Sequence, residues 1–479
     1  VFVNEMPRFE ILTPDAIATL ERGWKRILTE IGVDFGLPEA VEHFRRAGQK
    51  VDGTVVYLDP DFVLEQVAKV PARFDVRARN PARSYTMGGA NMAFAAVYGP
   101  PFVREGDVRR VASMHDFERL VQLSQHFPQI DSAGGVICEP DDVPLDSRHL
   151  DMLYAHATLA DKPYFGSVTA RENAVDSLRM TEILHGVDRL DDVALLAIVN
   201  VNSPLRYDDR MLDALLTYAE AGQAAIITPF LLMGAMAPVS VPAAIAQQTA
   251  EAFAGIALTQ LVNPGTPVIL GSFLSATDMQ SGSPSFGGPE SAQSLFVTGQ
   301  LARHYGLPWR AGGGGLTASQ TCDAQAAYEA LNTLLPAFMA GANLVMHAAG
   351  WLESGLVSCF EKFIVDIELL RTLREEFTPL EIDDASLAFD AHDEVRHGGH
   401  FLGAAHTLTR FRDCFYRPLL SSTENFERWQ RKGGNDATAR AGLLWRRALD
   451  EYERPPLEEG VRTALAEYVT RRRRELGDA

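Results

Sequence analysis

The sequence predicts an α/β fold, a TIM (β/α)8 barrel carrying an N-terminal α+β layer and a C-terminal helical extension. Three observations lead there. From about residue 129 onward, short apolar runs rich in β-branched residues alternate with longer helix-patterned segments. That alternation is the mark of parallel strands buried on both faces and joined by right-handed crossovers. About seven such units follow one another, and closing them into an eight-stranded barrel removes the edges an open sheet would expose. The competing fold, an open doubly wound sheet, wants a glycine-rich phosphate loop after its first strand. Here Ala133-Gly134-Gly135-Val136 lies mid-strand and runs into Glu139-Pro140-Asp141-Asp142, an acidic loop that repels phosphate.

Residues 1–125 read as a separate layer of helices and short strands. Thr13-Pro14-Asp15 supplies a cap and a first-turn proline, and Ile17, Leu20, Trp24, Ile27, Leu28 and Ile31 recur at helical spacing behind it. Helices are expected after Pro38 and after Asp59-Pro60, with a short strand at Val55–Tyr57. Residues 74–79 alternate as a half-exposed strand does. The barrel core is assigned to 126–380, with strands at 130–138, 164–168, 194–201, 224–230, 267–273, 309–312 and 344–347. The eighth strand is expected at 92–98 or inside a longer unit. Residues 381–479 leave the alternation and read as an extension packed on the barrel.

Composition narrows the function. A net charge of -19 and a pI near 5.1 oppose binding to a phosphate backbone. The one basic run, Arg471 to Arg474, reads as a solvated helix C-terminus. Apolar stretches are too short and broken for a membrane span, and the N-terminus lacks a signal-peptide layout. Cys138, Cys322, Cys359 and Cys414 form no CxxC pair. This combination is expected of a cytoplasmic protein without structural zinc.

In a barrel, chemistry sits where strands end. Those positions offer His347 and Glu139 as candidate catalytic residues. Asn200 and Asn202 are candidate polar contacts, and Gly312, Gly313, Gly314 and Gly315 form a run that a flat cofactor could approach closely. The same ends are aromatic: Phe94, Tyr98, Phe165, Phe230, Phe286 and Trp351 are the candidate substrate contacts. Aromatic faces attract quaternary ammonium groups, which cannot donate hydrogen bonds. HExxH and the nucleophile elbow are absent. His397 and His400, with His406 further on, are close enough to consider as ligands, but Gly398 and Gly399 between the first two argue for a loop and a structural role, so no metal is expected.

Longer motifs then resemble a family. Asp323-Ala324-Gln325-Ala326-Ala327-Tyr328-Glu329, Gly350-Trp351-Leu352-Glu353-Ser354-Gly355-Leu356, Ser358-Cys359-Phe360-Glu361-Lys362 with Asp366, and Gly398-Gly399-His400-Phe401-Leu402-Gly403 with His406-Thr407 are similar to the trimethylamine:corrinoid methyltransferases. The resemblance implies a TIM barrel that moves a methyl group from a methylated amine to cobalt(I) of a corrinoid (cobalamin) on a separate partner protein. Members using trimethylamine carry pyrrolysine. This chain has none, and resembles the branch that includes glycine betaine methyltransferases. A quaternary ammonium leaves as a neutral amine, so an acid-poor mouth suits it, and His347, Asn200, Asn202 and the glycine amides are candidates for a betaine carboxylate. Asp390-Ala391-His392-Asp393-Glu394-Val395 begins like a corrinoid-binding motif but has valine where glycine is required, so the corrinoid is expected on the partner. The resemblance also implies a homo-oligomer. Two alternatives stand beside this reading: direct transfer to tetrahydrofolate, and a non-catalytic betaine-binding barrel.

Overall fold

The computed structural model describes residues 1–477. Seven strands form its central ladder: β1 (Asn91–Phe94), β2 (Tyr164–Phe165), β3 (Leu195–Val201), β4 (Ala224–Met233), β5 (Val268–Gly271), β6 (Trp309–Ala311) and β7 (Leu344–Val345). They lie in the order β1-β7-β6-β5-β4-β3-β2, and each of these neighbouring pairs is parallel. β1 occupies the stretch expected to supply a further strand.

The expected strand at 130–138 does not form a regular ladder. Its residues make only isolated bridges, Ala95 with Ser132 and Gly134 with Tyr164. Gly134 sits at φ +82° and the Ile137 N–H turns back to the Gly135 carbonyl, so the backbone cannot stay extended there. The named strands therefore make an open path whose two ends, β1 and β2, both touch this segment.

Helices return the chain between strands: α1 (Arg148–Leu159), α2 (Arg171–His185), α3 (Asp209–Glu220), α4 (Val241–Val262), α5 (Pro289–His304), α6 (Ala324–Ala340) and α7 (Phe360–Glu376). Side-chain caps from Asp208 and Asp323 satisfy free N–H groups at the starts of α3 and α6. Strand side chains alternate with period two. Phe94, Ala197, Val199, Ala225, Ile227, Val268, Leu270 and Val345 belong to the large core that includes the helices. Ala93, Phe165, Leu196, Ile198, Ala224, Ile226, Ile269 and Leu344 meet one another in a second cluster, joined by Val76, Tyr85 and Met87 from an N-terminal hairpin.

The N-terminal layer explains why α4 is buried on nearly all sides. The helix Pro14–Arg26 covers it, with Trp24 edge-on to Phe253 at 5.2 Å and its indole N–H on the Tyr305 hydroxyl at 3.1 Å. At the other end, α8 (Ala437–Asp450) and α9 (Glu459–Glu475) pack back on the core. Trp445 donates to Glu361 at 2.9 Å, and Tyr468 and Arg472 both donate to buried Asp176 at 2.7 Å. Two members of the basic run are thus used internally, Arg472 on Asp176 and Arg473 on Asp151. Among the described residues no helix is long and apolar enough to cross a membrane.

Candidate functional site

The most unusual residue of the ladder is Arg310. Period two sends Trp309 and Ala311 toward the helices and turns Arg310 inward, where it is 2% exposed. Nη1 donates to the Ser272 carbonyl at 3.0 Å, Nη2 lies 3.1 Å from His347 Nε2, and Nε has no acceptor. Among the described residues no carboxylate pairs with it. An unpaired buried cation costs several kcal/mol, on the order of the penalty for any ion left uncompensated in a protein interior. Such a group is retained where something else supplies the anion.

His347 follows β7 with φ +57°, a left-handed conformation that non-glycine residues seldom adopt. Its Nδ1 accepts the Tyr98 backbone N–H at 3.2 Å. That contact places the ring hydrogen on Nε2, the tautomer being fixed by its partner. Nε2 then faces the guanidinium with a donor against a donor. The two cannot satisfy each other, because arginine has no acceptor. Burial, and then the charge of Arg310, hold His347 well below its ordinary pKa, so the ring is neutral. Burial also pushes Arg310 down, to about 9, which leaves it charged at neutral pH.

Aromatic rings gather around this pair, centred on Phe273. It continues the β5 direction in the strand Phe273–Thr277, which runs parallel to β4 with Phe230 opposite Phe273. Phe230 stacks on it at 4.7 Å, and His347 and Phe286 meet it edge-on at 5.7 and 5.6 Å. Trp351 lies 5.5 Å from Phe286 and 4.5 Å from His347. Phe286 is delivered by a hairpin in which Pro284–Ser285 pairs with Ala276 and Thr277. The guanidinium carbon of Arg310 is 5.6 Å from the Phe273 centroid. A cation-attracting ring cluster therefore adjoins a cation that lacks an anion.

Two buried charges hold the surrounding loops. Lys362 and Asp366, one turn apart on α7 and both fully buried, form an ion pair. Lys362 Nζ also donates to the Gly315 carbonyl at 3.1 Å, and Asp366 accepts the Gly350 N–H at 2.9 Å. One pair thus ties the loop after β6 to the loop after β7.

The structure brings Phe230, Phe286, His347 and Trp351 together, with Tyr98 joined through its backbone. The Tyr98 hydroxyl has no partner among the described residues, and burial raises its pKa to about 12. Phe165 lies deeper, among the inward side chains. Other candidates fall elsewhere. Phe94 points to the helices, 5.4 Å from Phe338 and beneath Arg374, because it alternates with inward Ala93. Asn202 is exposed and holds the loop by exchanging hydrogen bonds with Asp208. Asn200 is exposed at the end of β3, and Glu139 is exposed with Arg148 3.8 Å away.

The glycine run is filled in part by the chain's own backbone. A Cβ on Gly312 would fall 1.8 Å from the Ser272 carbonyl, and one on Gly314 2.4 Å from that of Met346. The close approach that Gly312 and Gly314 permit is between neighbouring loops of the chain itself, while Gly315 faces the Asp366 side chain and Gly313 has only side chains at ordinary contact distance. His397 and His400 are exposed, and among the described residues no three ligating side chains cluster for a metal. Arg310 and Phe273 were missed. The available signal for Arg310 is a charge inside the otherwise apolar run Leu307-Pro308-Trp309-Arg310-Ala311; Phe273 carries none beyond its place at a strand end.

The architecture is that of a known methyltransferase fold. It matches the crystal structure of the monomethylamine methyltransferase of Methanosarcina barkeri with a TM-score of 0.53 over 94% of this chain and 90% of that one, at 11% identity. The family model described as "Trimethylamine methyltransferase (MTTB)" matches residues 1–477, and the chain belongs to that family of methyltransferases. It is 40% identical to the glycine betaine methyltransferase of Desulfitobacterium hafniense (strain Y51) across 99% of both chains. It is 30% identical to the proline betaine:corrinoid methyltransferase of Eubacterium limosum, over 79% of this chain and 80% of the relative.

Proposed function

We propose that this chain demethylates glycine betaine or a close relative, passing the methyl group to the reduced cobalt of a corrinoid carried by a partner protein. The observation that carries the reading is Arg310: a buried guanidinium without a carboxylate, set against Phe273, Phe286 and Trp351. A betaine presents the two missing complements on one small molecule. Its carboxylate takes the free edge of Arg310 and accepts from the Nε2–H of His347, which ends the donor-to-donor contact. Its trimethylammonium group takes the aromatic faces. Trimethylamine offers no carboxylate, and so leaves Arg310 unpaired.

The residues need only bind and orient. A quaternary nitrogen departs as a neutral tertiary amine, so neutral His347 has no proton to supply, and the methyl acceptor's reactivity is the corrinoid's own. The name of the proline betaine relative supports a corrinoid acceptor over tetrahydrofolate. We also read the fold as a closed eight-stranded barrel, with residues 131–134 as the eighth stave. The bridges to β1 and β2 and the mixing of inward side chains from both ends of the path support it.

The deciding assay mixes purified protein, glycine betaine and a reduced corrinoid protein, or free cob(I)alamin, under anaerobic conditions. Methylcobalamin and dimethylglycine should appear together in equal amounts. Methylation of tetrahydrofolate in a corrinoid-free reaction would overturn the acceptor, and the absence of product with every betaine tried would overturn the substrate class. We read the protein as a cytoplasmic homo-oligomer. Its free cysteines support a reducing compartment, and its arm of exposed apolar residues supports self-association: Leu380, Phe389, Leu402, Phe411 and Phe415 are each 56% or more exposed. Light scattering on the full chain tests the last point, and a monodisperse monomer would refute it.

A further inference from the structure

At the other end of the ladder, a cavity of about 330 Å³ opens beside the starts of β6 and β7. Three arginines line it: Arg8 from the N-terminal segment, Arg73 from the loop before the first hairpin, and Arg303 from the last turn of α5. Among the described residues no carboxylate lines it. In a protein of net charge -19, a cavity walled by three guanidinium groups and no carboxylate is an inversion of the surface around it.

The arginines are held in place and remain short of carboxylates. A Cβ on Gly341 would fall 2.3 Å from Arg8 Nε, and one on Gly89 2.5 Å from Arg73 Nη2. Both guanidinium groups therefore lie flat against bare α-carbons, which only glycine permits. Arg8 is anchored on the carbonyls of Met6 and Asn4 at 3.0 and 2.6 Å, neutral partners that leave its charge uncompensated. Arg303 is engaged at all three nitrogens: Nε donates to Glu10 at 3.1 Å, Nη2 is ion-paired with the same Glu10 oxygen at 3.1 Å, and Nη1 donates to the Ala340 carbonyl. Arg73 has no ion pair or hydrogen bond among the described residues. Burial, and then the charge of Arg303, lower the pKa of Arg8. Glu10 thus balances one of three cations. The remaining wall is apolar, with Ala302, Leu307 and Trp309.

We propose that this cavity binds a doubly charged phosphate group on a small organic body, that is, a small phosphate monoester. Two uncompensated guanidinium charges match a dianion, and arginine's planar fork matches phosphate oxygens. The apolar wall and the volume leave room for the ester group. Binding joins three separate pieces of chain, the N-terminal segment, the 73 loop and α5, so the ligand acts as a clasp at the strand starts, whereas His347 follows the end of β7. It is independent of the methyl-transfer chemistry.

The test uses the full chain with inorganic phosphate and glycerol 3-phosphate as probes, against sodium chloride at matched ionic strength. Calorimetry should show one site per chain, with glycerol 3-phosphate raising the thermal midpoint and chloride leaving it unchanged. Arg73→Gln, a change on an exposed side chain, should weaken binding at least tenfold while betaine turnover stays at the wild-type rate. Arg8→Gln should do the same through a second wall. Equal midpoint shifts from chloride, or unchanged phosphate affinity in both variants, would overturn the proposal.

Discussion

Replacing Arg310 with methionine separates its energetic cost to the fold from its use in binding. In the free protein the guanidinium is 2% exposed, has no carboxylate, leaves Nε without an acceptor and meets the N–H edge of His347. Exchanging buried ionic groups for an apolar residue of similar volume is often stabilising, by about 1–4 kcal/mol. Arg310→Met should therefore unfold at a higher temperature than the wild type. The same change deletes two charge-assisted hydrogen bonds to a bound carboxylate, each worth about 1.5–3 kcal/mol. The loss of roughly 3–6 kcal/mol lowers kcat/KM for glycine betaine by about two to four powers of ten. Tetramethylammonium, which lacks the carboxylate, should compete equally well against both proteins. Methylcobalamin formation under varied betaine, together with a thermal melt, reads both effects. A variant that is less stable than wild type and keeps its KM for betaine refutes the assignment of Arg310 as the carboxylate receptor.

The ring cluster makes a complementary forecast. Trp351→Leu or Phe286→Leu should raise KM for a quaternary amine by about 2–30-fold per ring, the equivalent of roughly 0.5–2 kcal/mol of cation–π attraction, and leave inhibition by 3,3-dimethylbutanoate, the uncharged carbon analogue, much less changed; equal losses for both ligands would point to simple packing damage. Asp366→Asn strands a fully buried Lys362 and should destabilise the protein by about 3–5 kcal/mol, whereas Lys362→Met with Asp366→Leu should recover most of that in urea unfolding. Stability should also depend on acid. Burial lowers His156 to about 4 and, with the charge of Arg310, holds His347 well below the ordinary value. An unfolded histidine takes its proton near pH 6.5. The contribution is complete above that pH and is lost as pH falls toward the folded values, by up to about 1.4 kcal/mol per pH unit for each ring. Urea midpoints at pH 7 and pH 5 measure it, and His156→Gln should flatten the slope; a midpoint that holds or rises at pH 5 contradicts the sign.

Much of the scaffold was legible because strand burial leaves a compositional trace. The runs at 194–201 and 224–230 became β3 and β4 with register Leu196↔Ala224 onward, and the helix patterns between strands kept their places. The run at 130–138 misled because its apolar content resembles a strand while Gly134 and Gly135 break the extension. The site was legible in part. His347, Phe286 and Trp351 end up together because strand ends converge at one pole of the fold. Phe94 does not join them, since a one-residue change of phase sends a side chain to the other face.

By itself the sequence determined the family, the α/β alternation and an aromatic, acid-poor set of strand ends, all of which follow from residue type and local spacing. Only the tertiary structure decided that Arg310 is alone. Whether a charged side chain has an opposite charge beside it depends on residues such as Ser272, Phe273 and His347, between 37 and 38 positions away along the chain and on neighbouring strands. Folding also turned the glycine run from an open approach into a seam between loops, because Ser272 and Met346 occupy the space that a Cβ at Gly312 or Gly314 would need. Period and composition are local properties. The pairing of charges and the filling of space are set by contacts between distant segments.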